Sequence, residues 1–170
     1  VMDTKFTKHA KGLTAAGIPW GVYFFTTAIN AAEGKEEANW VLDKIKNYNI
    51  YFPIFVDTEK GLDNGRSVNI TNTARTNAVV AFCNTIKAAG YETGIYASDS
   101  WYTGNLVYSR VSGFNKWVAS YSKAPTRVTS YIGWQYTSDG HISGSSGDID
   151  LSKWYVNITA NNGSSSTTNE

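Results

Sequence analysis

The sequence has few of the residues that build disulfide frameworks and metal sites. Its 170 residues include one cysteine, Cys83, and two histidines, His9 and His141. A single cysteine excludes an intrachain disulfide and a multi-cysteine metal site. Zinc hydrolases typically use two or three closely placed imidazoles, and the two histidines here are far apart in the chain. We therefore expect no metal ion and no cofactor.

The sequence also lacks an excess of charge and long apolar runs. Lys and Arg number 15, Asp and Glu number 14, and the net charge is +1. This balance gives no broad field that would attract nucleic acid or an anionic membrane surface. No apolar run approaches the ~20 residues that cross a bilayer. We therefore expect neither a nucleic-acid partner nor a membrane partner.

Aromatic residues are abundant, with 6 Trp and 11 Tyr. Exposed rings of this kind can stack on flat, weakly polar ligands such as sugars, and buried rings can fill a core. Both interpretations stay open at this point. The sequence contains no phosphate-binding glycine loop and no Gly-x-Ser-x-Gly nucleophile motif.

Hydrophobic periodicity predicts one domain at residues 1–158 and a flexible Ser/Thr/Asn-rich linker or tail at residues 159–170. After Ser98 we expect strands joined only by loops or short turns, with a hairpin connection at residues 138–144. The predicted helices are 3–16, 31–48 and 71–90, and the predicted strands are 18–25, 51–59, 93–98, 116–121, 131–138 and 147–152.

Strands that alternate with helices indicate right-handed βαβ units and a parallel sheet. A closed (β/α) barrel usually needs eight strands, and this sequence predicts six. The simplest account is a modified barrel whose first two strands lie upstream of Val1. The alternative is an open, doubly wound sheet. Periodicity alone does not choose between the two.

Two carboxylates, Asp57 and Glu59, lie at the carboxyl end of the second predicted strand. Side chains two residues apart on a strand face the same side, with backbones ~6–7 Å apart. Such proximity raises the proton affinity of one carboxylate, as general acid catalysis requires. The alternative is an Asp57 that caps a turn, with Glu59 paired to Lys60 or Arg66.

Several segments occur in an order that is characteristic of one family. Together they resemble glycoside hydrolase family 25, the Chalaropsis-type lysozymes, over residues 3–155. The segments are AGIPWGVYFF, PIFVDTE, FCNTIKAAGYETGIYAS, KWVASY and WQYTSDGHISGSSGDIDLS.

The resemblance implies an irregular TIM-like (β/α)5(β)3 barrel and a muramidase secreted by a bacterium or made by a phage. Such enzymes cleave the β-1,4 bond between N-acetylmuramic acid and N-acetylglucosamine in peptidoglycan. By motif, Glu59 is the proton donor, Asp57 supports it or orients the acetamido group of the sugar, and Asp150 lines the same cleft. The residues implied for sugar binding are Tyr23, Tyr96, Trp117, Tyr121, Trp134 and Gln135.

The sequence departs from the family at its start, because family members begin with a strand that carries a catalytic Asp, and no equivalent precedes Val1. We therefore expect either strand exchange with another molecule or a longer native chain. A catalytically weak peptidoglycan-binding module is the alternative function. A chitinase is less favoured, because the motif DxxDxDxE is absent. Inverting, retaining and substrate-assisted mechanisms all stay open.

Overall fold

The computed structural model describes residues 1–61, 65–121 and 123–157. The predicted tail at 159–170 lies outside these residues, as does residue 158. The helices are α1 (Phe6–Ala15), α2 (Ala31–Ile45), α3 (Asn72–Ala88), α4 (Asp99–Gly104) and α5 (Tyr108–Val111). The strands are β1 (Tyr23–Phe25), β2 (Ile54–Asp57), β3 (Thr93–Ser98), β4 (Asn115–Ala119), β5 (Gly133–Gly140) and β6 (Ile149–Trp154).

The six strands form one sheet in the sequential order β1-β2-β3-β4-β5-β6. The pairs from β1 to β5 are parallel, and β5 and β6 form an antiparallel pair. In a doubly wound sheet the strand order reverses, because the chain adds strands on one side of the first strand and then on its other side. In a barrel each new strand lies beside the previous one. The sequential order therefore gives a half-barrel, and it confirms the prediction of a TIM-like barrel without its first two strands.

Short polar side chains cap the N-termini of three helices. Asn30 accepts a hydrogen bond from the backbone N–H of Glu33 at the start of α2, and Thr71 does the same for α3. Ser98 caps α4 through the N–H of Trp101. These caps satisfy N–H groups that have no partner within the helix. The cap at Ser98 places the start of α4 directly at the carboxyl end of β3.

The main core lies between the helices and one face of the sheet, which we call the outer face. Side chains of β2 and β3 pack there against α2 and α3. Cys83 of α3 is fully buried in this core, where it packs as a small apolar residue. Gly34 of α2 lies against the backbone of Ala78, so the two helices approach closely at this point.

The connection after β3 differs from the prediction, because α4 and α5 lie between β3 and β4. The expectation of helix-free connections after Ser98 is therefore wrong for the step from β3 to β4, whereas among the described residues no helix lies between β4 and β5 or between β5 and β6. These helices have six and four residues, which is too short for the apolar periodicity that identifies a helix in sequence. The predicted strand 18–25 is also shortened to the three residues of β1.

Two strands form the edges of the sheet, β1 and β6. Beside β1, a groove of about 540 Å³ runs between α1 and α2, lined by apolar side chains that include Phe6, Leu13 and Trp20.

Within residues 1–61, 65–121 and 123–157, no helix is both long and apolar enough to cross a membrane.

Candidate active site

The candidate site lies on the inner face of the sheet, opposite the helices. Tyr96 of β3 pairs with Asp57 of β2 and with Trp117 of β4, and paired residues in a sheet face the same side. Tyr23 of β1 pairs with Phe55, which lies two residues before Asp57 and so shares its face. The parallel register therefore gathers side chains from four strands on one surface.

Trp117 is the centre of an aromatic cluster on this inner face. Its ring centroid is 4.7 Å from that of Tyr96, 5.3 Å from Trp154, 5.5 Å from Phe55 and 6.2 Å from Tyr23. The arrangements are edge-to-face or tilted, which favours aromatic pairs. Tyr23 is 62% exposed, so the cluster ends in a ring that a ligand can reach.

Gln135 joins two tyrosines of the site. Its side chain is 2% exposed, and its Oε1 atom accepts hydrogen bonds from the hydroxyl groups of Tyr96 (2.7 Å) and Tyr121 (3.0 Å). Burial raises the pKa of Tyr96, and so do nearby Tyr121 and Asp57. Both hydroxyl groups donate to the same amide oxygen, which fixes the ring of Tyr121 just beyond the end of β4.

Asp57 is the most perturbed carboxyl group of the site. Its side chain is 5% exposed, and its Oδ1 atom has no hydrogen-bond partner among the described residues. Burial raises the pKa of Asp57 to about 8, with further contributions from the negative charges of Glu59 and Asp150. Asp57 is therefore largely protonated at neutral pH.

Glu59 lies beyond the end of β2 and is exposed. Partial burial of its carboxyl group raises its pKa, and the charge of Asp150 raises it further. The structure thus brings Asp57, Glu59 and Asp150 close enough to influence one another. Arg66, which the turn-cap alternative pairs with Glu59, forms a 2.8 Å salt bridge with Glu33 of α2.

Three residues that are not among the predicted site residues hold the end of β2 in place. Thr58 is buried between the two carboxylates, and its N–H donates to the carbonyl oxygen of Tyr96 (3.0 Å). The indole N–H of Trp101 in α4 donates to the Thr58 hydroxyl (3.4 Å), and the guanidinium of Arg75 lies 5.1 Å from the Trp101 ring centre. The only sequence signal for this support is a tryptophan three residues after the cap Ser98.

A cleft of about 440 Å³ opens beside Glu59. Its lining includes the carboxylate of Glu59 and the rings of Tyr96 and Tyr121. The rest of the lining comes from the end of β3 and from the segments that follow β3 and β4, and its polar residues are Ser98, Asp99, Ser100, Ser120, Lys123, Thr126 and Arg127. The cleft therefore combines aromatic, hydroxyl and charged groups of both signs, which suits a sugar with polar substituents.

Trp134 is separated from the other predicted site residues. It is adjacent to Gln135 in β5, and consecutive strand residues face opposite sides, so Trp134 lies on the outer face. Its indole N–H donates to the carbonyl oxygen of Ser120 (2.8 Å), and the ammonium of Lys153 lies 5.3 Å from the ring centre. The expectation that Trp134 and Gln135 shape one sugar site thus conflicts with strand alternation.

Among the described residues, no group of three or more His, Cys, Asp or Glu side chains could hold a metal ion. The inner face brings together eight of the predicted site residues, which are Asp57, Glu59, Asp150, Tyr23, Tyr96, Trp117, Tyr121 and Gln135.

Comparisons with known proteins agree with this geometry. The chain is 25% identical over 158 residues to the autolytic lysozyme of Clostridium acetobutylicum, covering 92% of this chain and 45% of that protein. The autolysin LytC from Streptococcus pneumoniae, solved in complex with a synthetic peptidoglycan ligand, superposes with a TM-score of 0.81 and 27% identity, covering 91% of this chain and 38% of that one.

The catalytic domain of the endolysin ply40, from bacteriophage P40 of Listeria monocytogenes, superposes with a TM-score of 0.76 and 25% identity. The coverage is 91% of this chain and 76% of that domain. The chain spans less than half the length of the autolytic lysozyme and of LytC. The profile of Glycosyl hydrolases family 25 matches residues 1–145, so the chain belongs to that family.

Proposed function

We propose that this protein hydrolyses the β-1,4 bond between N-acetylmuramic acid and N-acetylglucosamine in peptidoglycan. The observation that carries the proposal is the group of three interacting carboxyls, Asp57, Glu59 and Asp150, beside a cleft with aromatic walls. Family membership supports it, and so do the names of the relatives, which are a lysozyme, an autolysin and an endolysin.

Glu59 is the proton donor in this proposal. It is the exposed member of the Asp57 and Glu59 pair and lines the cleft, so a glycosidic oxygen can reach it. Its raised pKa keeps a larger fraction of the carboxyl protonated than an isolated glutamate would have. Both properties are required of a general acid that protonates a leaving group.

Asp57 has a different role because it is buried. A carboxyl that is protonated at neutral pH can donate a hydrogen bond, and Asp57 Oδ1 has no hydrogen-bond partner among the described residues. We propose that Asp57 orients the acetamido group of the bound sugar. Asp150 supplies the negative charge that raises the proton affinity of both other carboxyls.

The aromatic cluster would form the floor of the sugar-binding surface. Tyr23 and Tyr121 are exposed rings on the inner face. The ring of Trp117 packs against Tyr23, and Gln135 accepts a hydrogen bond from the hydroxyl of Tyr121. Sugar rings present apolar faces that stack on such side chains, with their hydroxyl groups left to bind polar neighbours.

The proposed partner is the glycan strand of peptidoglycan, and the proposed place of action is the cell wall, outside the cytoplasm. The names of the autolysin, endolysin and lysozyme relatives support this location.

The test is cleavage of purified peptidoglycan by the protein and by its Glu59→Gln variant. The products are reduced with borohydride, so that each new reducing end is identified as a muramyl or a glucosaminyl alcohol by mass spectrometry. We expect muramyl ends from the parent protein. The variant keeps the shape of the side chain but cannot supply a proton, so release should fall by about 10²–10⁴-fold.

Glu36→Gln is the matched control, since Glu36 is an exposed glutamate of α2 and should leave the rate unchanged. Glucosaminyl ends, or undiminished release by Glu59→Gln with an unchanged melting temperature, would contradict the proposal. Retention on insoluble peptidoglycan without any release of reducing ends would support the binding-module alternative instead.

A further inference from the structure

The cleft beside Glu59 has a cationic side that the proposed chemistry does not use. Lys123 and Arg127 both line it, together with the hydroxyl groups of Ser98, Ser100 and Ser120. General acid catalysis needs none of these groups. Hydroxyl and cationic side chains together suit a ligand that carries both hydroxyl groups and a negative charge.

The backbone at Arg127 is held firmly. Asp99, the first residue of α4, accepts hydrogen bonds from the N–H groups of Thr126, Arg127 and Val128 at 2.9 to 3.2 Å. The hydroxyl of Ser120 donates to the carbonyl oxygen of Lys123 at 2.9 Å. Both cations therefore project from anchored backbone, which lowers the entropic cost of binding a charged group there.

Neither cation has a salt-bridge partner in the part of the chain that the structure describes. The salt bridges found there involve Lys44, Lys46, Arg66 and His141, but not Lys123 or Arg127. The charge of Arg127 contributes to the lowered pKa of Asp99, but the carboxylate oxygens of Asp99 are occupied by three backbone N–H groups. Both cationic groups are therefore available to a ligand.

We propose that Lys123 and Arg127 form a subsite for a carboxylate carried on the O3 substituent of the muramyl sugar. This inference rests on the proposed function. Of the two sugars that alternate in peptidoglycan, only N-acetylmuramic acid bears an acidic substituent, which is its lactyl group or the stem peptide attached to it. The subsite would make the protein select peptidoglycan over neutral polymers of N-acetylglucosamine.

The test compares the affinities of three soluble tetrasaccharides by isothermal titration calorimetry, in the Glu59→Gln background, in which we expect cleavage to be about 10²–10⁴-fold slower. The ligands are the neutral N-acetylglucosamine tetramer, the peptide-free muramyl repeat with free lactyl carboxylates, and the same repeat with stem peptides. The last two distinguish the lactyl carboxylate from the carboxylates of the peptide. The double substitution Lys123→Gln with Arg127→Gln is compared with Lys11→Gln with Lys87→Gln, which removes two exposed charges from helices outside the cleft.

We expect a carboxylate-bearing tetrasaccharide to bind at least about tenfold more tightly than the neutral one, since hydrogen bonds to charged groups are among the stronger ones. The double variant at Lys123 and Arg127 should lose this preference, and its affinity for the neutral tetramer should stay within about twofold. Added salt should reduce the preference of the parent. The control variant at Lys11 and Lys87 matches the change in net charge and should keep the preference.

Two results for the double variant at Lys123 and Arg127 would overturn the carboxylate subsite. One is a loss of affinity for the neutral tetramer as large as that for the carboxylate-bearing ligands, and the other is no loss of affinity for any ligand. Cleavage of peptidoglycan by the parent protein, together with unchanged selectivity in the double variant, would overturn the subsite and leave the proposed function intact. A protein that binds none of the three ligands and releases no reducing ends would contradict the proposed function itself.

Discussion

The buried carboxyl of Asp57 should make the folded protein less stable as the pH rises. Its pKa is raised from the ordinary 3.8 to about 8, chiefly by burial. Between these two values the folded state holds a proton that the unfolded chain releases. Because the folded state then binds more protons, the free energy of unfolding falls with increasing pH, by up to ~1.4 kcal/mol per pH unit.

The size of the effect follows from the width of this interval. A shift from 3.8 to about 8 corresponds to a loss of roughly 6 kcal/mol as an upper limit, at about 1.4 kcal/mol per unit. Below pH 3.8 the carboxyl is protonated in both states and contributes no difference. Asp57→Asn keeps the shape and removes the titration, so its stability should depend much less on pH.

The assay is urea unfolding of the parent protein and of Asp57→Asn at several pH values between about 4 and 8, the interval set by the two pKa values. The amide can leave a buried donor unpaired, which costs ~1–3 kcal/mol at every pH, so the difference between pH values is the measured quantity. We expect the variant to gain stability relative to the parent as the pH rises through this interval. Glu36→Gln should follow the parent. Parallel curves for Asp57→Asn and the parent would refute the assignment of a protonated Asp57.

Three further predictions concern the site, the helix packing and the sheet edges. Asp150→Asn removes a charge that raises the pKa of Glu59, so the alkaline limit of peptidoglycan cleavage should move to lower pH. An unchanged pH profile would contradict this influence of Asp150 on Glu59. Gly34→Ala would bring a methyl group into the backbone of Ala78 and should lower stability by about 1–3 kcal/mol in thermal unfolding. Gly12→Ala, which meets no atom within 4 Å, should instead raise it by about 0.5–1 kcal/mol. Because β1 and β6 are open edges, we expect strand-mediated self-association in light scattering, and a strictly monomeric protein would contradict this.

The sequence predicted the elements that depend on local patterns. Six strands, three long helices and the carboxylate pair Asp57 and Glu59 at the end of β2 are all found. Apolar runs and helical spacing show whether an element is buried on one face or on two, and a short stretch of consecutive residues is enough to reveal them. Alternation within β5 also separates Trp134 from Gln135, so that separation was already present in the sequence.

Only the tertiary structure decided which groups influence one another. The raised pKa of Asp57 depends on burial and on the charges of Glu59 and Asp150, the second of which comes from a strand at the far edge of the sheet. The contact of Trp101 with Thr58 and the placing of Lys123 in the cleft join segments that are distant in the chain. Local patterns determine where a strand or helix forms. Burial, the coupling between charges and the shape of the cleft depend on residues that are distant in the chain and become neighbours only when it folds.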